Sequence, residues 1–254
     1  MNSRDTLNEM NIQAGPDETL DTLFEGKLPL LQKRHGYRFS MDAVILARCT
    51  VAKDRDAIVD LGAGCGVISL ILALQTKSKV IVGLEVQSEL AELARKNVKI
   101  NGQESRVRID ETDLRDIKSH YPAETFDVAV SNPPFGIPGT GRINPEPQKA
   151  AARHEISATL ENVLDAASYL LKQGGRLFII YPATRLVRLI DGLKRRVLEP
   201  KMLRMVHSHR DASAQLAVVQ AAKGGGEELV VPNPLYIYER DGGYTQEMAA
   251  MYSL

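Results

Sequence analysis

Ala57-Ile58-Val59-Asp60-Leu61-Gly62-Ala63-Gly64-Cys65-Gly66, running on into Val67-Ile68-Ser69-Leu70-Ile71-Leu72-Ala73-Leu74, is the stretch that decides the fold. A short apolar run meets a loop with glycine at every second position, and a longer apolar segment follows. That order predicts a buried strand, a turn in which backbone comes close to a ligand, and a helix whose first amide groups face an anion. The spacing is not the dinucleotide fingerprint, because its third glycine would fall at Val67, where a branched side chain stands. The helix start can receive a carboxylate as readily as a phosphate.

Three further strand ends follow in order. Val80-Ile81-Val82-Gly83-Leu84-Glu85 reads as a strand closing on an acid suited to a pair of ribose hydroxyls. Arg106-Val107-Arg108-Ile109-Asp110 alternates like a strand and leads to Thr112-Asp113-Leu114, where Asp113 can accept from an exocyclic amine. Phe126-Asp127-Val128-Ala129-Val130 then leads into Ser131-Asn132-Pro133-Pro134-Phe135. Pro133 holds Asn132 extended, and the two prolines donate no hydrogen bond of their own. The Asn132 amide oxygen and the neighbouring carbonyls are thus free to grip an NH2 group, and Phe135 offers a face on which a base can stack. Either acid alone is more often a helix cap or a solvated charge; their succession at consecutive strand ends is what carries weight.

These motifs resemble those of class I S-adenosylmethionine-dependent methyltransferases, and Asn132-Pro133-Pro134-Phe135 is similar to the signature of enzymes that methylate exocyclic or amide nitrogens. Thr19-Leu20-Asp21, Gly36 to Ala47 and Ala152-Arg153-His154-Glu155 extend the likeness to the bacterial tRNA (adenine-N6) methyltransferase family that acts on an anticodon-adjacent adenine of a valine tRNA. The resemblance implies a Rossmann-like α/β fold, with a mostly parallel seven-stranded sheet and an antiparallel strand near the C-terminus. It implies S-adenosylmethionine as cofactor, held by Asp60, Gly62, Gly64, Gly66, Glu85, Asp113 and Leu114, with Asn132 also at the site and Phe39 and Asp42 closing it from the N-terminal side. Asn132, the Pro133 carbonyl and Phe135 are the implied catalytic residues, and RNA, specifically a tRNA anticodon loop, the implied substrate. Guanine-N2 methylation of ribosomal RNA, glutamine methylation of a protein and a non-catalytic cofactor- or RNA-binding module remain as alternatives. A second methyltransferase-like domain would favour the first, and a helical N-terminal domain the second.

Composition fits one α/β domain: 254 residues, 44% hydrophobic and 25% charged. Cys49 and Cys65 have no metal-ligand spacing, so no metal is expected, and Cys65 reads as a small filler in the loop. With no apolar run of membrane-spanning length, the expectation is a cytoplasmic protein without membrane association, monomeric or weakly homo-oligomeric. The 32 basic and 32 acidic residues balance, which is unusual for an RNA binder. RNA contact is therefore expected from local clusters: Arg34 with Arg38, then Arg142, Lys149 and Arg153. A third cluster, Lys194-Arg195-Arg196 onward to Arg210, reads equally as a solvated face, and His207 with His209 lacks a third metal ligand.

Residues 1–18 are expected as a disordered tail, 19–52 as a cap with a strand at Leu28–Gln32 and a helix at Met41–Cys49, and 53–254 as the methyltransferase domain. Helices are expected at Ser88–Asn101, Ala158–Lys172 and Thr184–Val197, and strands at Arg176–Tyr181, Met202–Ser208 and Gln215–Ala221. Asn101-Gly102 and Gly174-Gly175 end their helices, and Leu235–Glu239 is a candidate edge strand. Residues 136–147, with three glycines and three prolines, read as a clamp loop over the substrate.

Overall fold

The computed structural model describes residues 14–36, 38–134 and 158–253. An N-terminal hairpin pairs β1 (Glu18–Leu23) with β2 (Leu28–Lys33), antiparallel. Helix α1 (Met41–Cys49) precedes β3 (Ala57–Leu61), α2 (Val67–Gln75), β4 (Val80–Glu85), α3 (Ser88–Ile100) and β5 (Val107–Glu111). After the short α4 (Ile117–His120) come β6 (Phe126–Ser131), α5 (Leu160–Leu170), β7 (Leu171–Pro182), α6 (Leu186–Lys194), β8 (Leu198–His207), β9 (Ala214–Lys223), β10 (Leu235–Tyr236) and α7 (Gln246–Met251).

The main sheet has the order β10-β8-β9-β7-β6-β3-β4-β5. All neighbours are parallel except at β9, which runs antiparallel to both β7 and β8. This is the mostly parallel Rossmann-like arrangement, with eight strands instead of seven. The extra strand is the two-residue β10: Pro232 and Pro234 cannot extend the ladder, and only Leu235 and Tyr236 pair, opposite Val206 and His207. Alternating side chains of the central strands feed two apolar layers. Ile58, Ile81, Val128 and Val130 pack with α1, α2, α3 and the hairpin; Val59, Leu61, Val82 and Leu84 pack with α5 and α6 on the other face. The hairpin's Leu23, Phe24, Leu28, Leu30 and Leu31 belong to that first layer, so the N-terminal cap shares the core of the sheet.

Several expected boundaries move: Glu18, expected in the disordered tail, opens β1, β7 opens at Leu171 instead of Arg176, β8 at Leu198 instead of Met202, and the edge strand closes at Tyr236 instead of Glu239. The helix placed at Ala158–Lys172 stops at Leu170, because Leu171 turns extended (ψ 137°) and joins β7 opposite Phe126. Gly174, at φ +72°, does not cap a helix; it lies in the bulge after which Arg176 resumes pairing with Val128. The helix placed at Thr184–Val197 divides into a 3-10 turn at Ala183–Arg185 and α6.

From β3 the chain winds outward to β4 and β5, then returns to place β6 on the other side of β3. The direction of winding therefore reverses between β3 and β6, and in such sheets ligands bind at the strands' carboxyl ends at this point.

Candidate active site

At that switch point a cleft of about 410 Å³ opens over the carboxyl ends of β6, β3, β4 and β5. Its size suits a nucleoside-sized ligand. Asn132 and Pro133 line it beyond β6, Gly62 and Gly64 beyond β3, Glu85 at the end of β4, and Asp113 and Leu114 beyond β5. Strand order alone thus sets these groups in a row, with neighbouring strands about 4.8 Å apart. Arg38, Ser40 and Asp42 complete the wall from the N-terminal segment.

The glycine loop is shaped for close approach. Gly62 and Gly66 both sit at φ +82°, where an L side chain is strained. A Cβ on Gly66 would also press to 3.2 Å from that of Ala94 in α3. Two polar ties join the loop to its surroundings. The Ser131 hydroxyl donates to the Leu61 carbonyl at 2.8 Å, which locks the end of β6 to the end of β3 directly before Asn132 and Gly62. The fully buried Asn97 of α3 accepts from the Leu31 amide (2.7 Å) and donates to the carbonyls of Leu31 and Cys65 (both 2.9 Å). One amide side chain therefore bridges the hairpin and the glycine loop.

The acids fall into three environments. Glu85 is buried, and its carboxylate accepts from the amides of Gly64 (2.8 Å) and Gln87 (2.9 Å). Burial raises its pKa against the pull of those amides. Each oxygen keeps acceptor capacity toward the cleft it lines. Asp113 is held by Arg115, whose Nε lies 3.0 and 2.9 Å from its two oxygens and lowers its pKa. Asp60 does not line the cleft. It lies wholly buried beneath the loop, pushed up to about 7 by burial, and accepts from the Ser69 hydroxyl at 2.8 Å. Its other oxygen has no partner among the described residues. Cys65 is likewise buried, its thiol pushed up to about 12, which leaves it unreactive at neutral pH.

Of the remaining site residues read from the sequence, Gly66 starts α2 behind the cleft and does not line it. Phe39 packs against the core, its amide donating to Gln32 Oε1 at 3.0 Å. Arg34 donates to the Glu18 carbonyl at 3.3 Å. Phe135, Arg142, Lys149, Arg153 and the loop 136–147 lie outside the described residues. Within the third basic cluster Lys194, Arg195, Arg196 and Arg204 pair with Glu199, Asp191, Asp165 and Glu247. His207 Nδ1 lies 2.7 Å from the Ala212 carbonyl. Among the described residues no helix is long and apolar enough to cross a membrane. Ser40, Val86, Gln87, Leu90, Thr112, Ala158 and Val163 also line the cleft and were not singled out by sequence. Gln87 and Thr112 follow strand ends already identified, and that adjacency is the signal that could have found them.

A doubly wound sheet with an acid-lined cleft at its switch point fits an enzyme of the methyltransferase type, and comparison with known proteins supplies the class. The methyltransferase small domain family model matches residues 39–197, and the chain belongs to that family. It is similar to the tRNA1(Val) (adenine(37)-N6)-methyltransferase of Pedobacter heparinus, 27% identical over 208 residues that cover 82% of this chain and 86% of that protein. The protein of the same name from Porphyromonas gingivalis is 36% identical over half of each chain. Among solved structures, a predicted O-methyltransferase from Agrobacterium tumefaciens superposes with a TM-score of 0.69 at 23% identity, covering 84% of this chain and 95% of that one, which shows the shared fold.

Proposed function

We propose that this protein transfers a methyl group from S-adenosylmethionine to the exocyclic N6 of an adenine in tRNA, the anticodon-adjacent adenine 37 that its relatives' names specify. The observation that carries the proposal is the row Asn132, Gly62–Gly64, Glu85, Asp113 along one cleft. The described residues fit the cofactor: the glycine turn leaves room for close approach, Glu85 has acceptor capacity for ribose hydroxyls, and Asp113 and Leu114 stand where a base would end. When bound, the cofactor supplies a methyl group activated on a sulfonium.

The chain's own residues supply position and polarity. An exocyclic adenine nitrogen is a poor nucleophile because its lone pair is delocalised into the ring. Asn132 Oδ1 and the Pro133 carbonyl accept the two N6 hydrogens, which favours a pyramidal nitrogen with its lone pair turned toward the donor. Catalysis then rests on orientation and preorganised acceptors, and no strong base is required. Phe135 stacks on the extruded base, which must be flipped or unpaired to reach the cleft. Arg34, Arg38, Arg142, Lys149 and Arg153 contact the RNA, residues 53–254 form the catalytic domain with 19–52 as its cap, and the enzyme works in the cytoplasm as a monomer or weak homo-oligomer.

Asn132→Ala tests the assignment. Methyl transfer should fall at least about a hundredfold, the scale for losing one preorganised polar group at a reacting centre, while S-adenosylhomocysteine affinity by calorimetry stays within about twofold. Loss of cofactor binding would place Asn132 elsewhere in the site.

A further inference from the structure

Backbone pairing between β3 and β6 ends at Asp60 opposite Val130, one residue short of the last residue of each strand. On its other side β6 stays paired to its end, with Ser131 opposite Ile179 of β7. The two residues after Asn132 are prolines, which have no N–H with which to extend a ladder. A side chain closes the gap on the β3 side: the Ser131 hydroxyl donates to the Leu61 carbonyl at 2.8 Å, between residues 70 apart in the chain. Ser131 is 0% exposed and does not line the cleft, although Leu61 and Asn132 on either side of the bond do.

The place of this bond gives it a role beyond holding the sheet. The Leu61 carbonyl immediately precedes Gly62, whose amide, like that of Ala63, donates to the Leu84 carbonyl of β4 at 2.9 Å. The glycine turn is therefore tied to β4 by its first amides and to β6 by the carbonyl before them. On the other side of the bond, Ser131 immediately precedes Asn132, the acceptor assigned to the target amine. One hydroxyl thus joins the half of the cleft assigned to the methyl donor to the half assigned to the methyl acceptor. In-line transfer needs the reacting atoms about 3–3.5 Å apart, and a displacement of about 1 Å can cost about a hundredfold in rate.

We propose that Ser131 is a positioning residue for methyl transfer: its bond to the Leu61 carbonyl sets the distance between the Asn132 acceptors and the methyl donor. This role rests on the function proposed above. Ser131 moves no proton and contacts no reacting group; it acts through Asn132. The groups assigned to the cofactor at the ends of β3, β4 and β5 stay assembled without it. Its loss therefore slows transfer while each ligand, taken singly, binds as before.

A double-mutant cycle on the full chain tests it, with single-turnover methylation of valine tRNA and calorimetry of S-adenosylhomocysteine as readouts. For Ser131→Ala the maximal transfer rate should fall about 10- to 100-fold, while the tRNA concentration at half-maximal rate and the S-adenosylhomocysteine affinity each change less than about twofold. Ser131→Cys, whose thiol is a weaker donor, should fall between wild type and Ser131→Ala in rate. In an Asn132→Ala background, Ser131→Ala should slow transfer less than about twofold further, because the residue through which Ser131 acts is gone. The same factor in both backgrounds, or a loss of S-adenosylhomocysteine affinity that matches the loss of rate, would reveal mere support of the fold or the glycine loop; either overturns the proposal, as does an unchanged rate for Ser131→Ala. A wild-type chain that binds S-adenosylhomocysteine and methylates no tRNA would instead refute the function proposed above, and this role with it.

Discussion

Replacing Asn97 by leucine isolates how the cofactor loop is held. The side chain is 0% exposed and makes three hydrogen bonds, one to the Leu31 amide and one each to the carbonyls of Leu31 and Cys65. Leucine has a similar branched shape, though a larger volume, and leaves those three backbone groups buried without their partner, at about 1–3 kcal/mol each. Its apolar burial returns about 1–2 kcal/mol. The net loss should be about 3 kcal/mol, which for a chain of this size lowers Tm by about 6–12 °C. Thermal and urea unfolding measure it. Asn101→Ala is the companion, since Asn101 reaches the same hairpin through the Pro29 carbonyl (2.8 Å) without touching the glycine loop. It should cost about 1 kcal/mol and leave S-adenosylhomocysteine affinity unchanged, whereas Asn97→Leu should weaken that affinity because the Cys65 carbonyl loses its anchor. A loss below about 1 kcal/mol for Asn97→Leu, or equal effects of the two variants on affinity, would refute this account of the tether.

Two further outcomes follow from the acids. Glu85→Ala should weaken S-adenosylhomocysteine binding at least about tenfold, since it removes a charged acceptor from the cleft; unchanged affinity in calorimetry would exclude contact with the ribose. Asp60 has its folded-state pKa raised to about 7 from 3.8, so its contribution to stability is fully present below pH 3.8 and is lost as the pH rises toward 7. Relative to wild type, Asp60→Asn should therefore gain about 2–3 kcal/mol of stability between pH 5 and pH 8. A pH-independent difference in chemical unfolding would show that Asp60 ionises normally in the folded protein.

The row of site residues was legible in the sequence because of the fold class itself. In a doubly wound sheet, residues after successive strands come to one edge whatever their separation in the chain, so Gly62, Glu85, Asp113 and Asn132 could be placed together from strand ends alone. Asp60 was less legible: its position at the end of β3 is clear, but alternation turns it beneath the loop, and only packing shows that it faces Ser69. β1 could not be seen as a strand at all. In Glu-Thr-Leu-Asp-Thr-Leu the acids Glu18 and Asp21 oppose the strand preference of the two threonines and no continuous apolar run marks it, and it extends because β2 pairs with it along its full length. Asn97 and Ser131 act through contacts between segments distant in the chain, which neither periodicity nor motif spacing encodes. At Gly174 local propensity misled, since a glycine pair after a helix reads as its cap, while the pairing of Leu171 with Phe126 ends the helix earlier.

Nucleoside mass spectrometry tests the central claim most directly: valine tRNA lacking the modification is incubated with the purified protein and S-adenosylmethionine, digested and analysed. One N6-methyladenosine per tRNA, mapping to the adenine beside the anticodon and absent with Asn132→Ala, is the predicted result. N2-methylguanosine in its place, or no methylated nucleoside at all from a protein that binds S-adenosylhomocysteine, would contradict it.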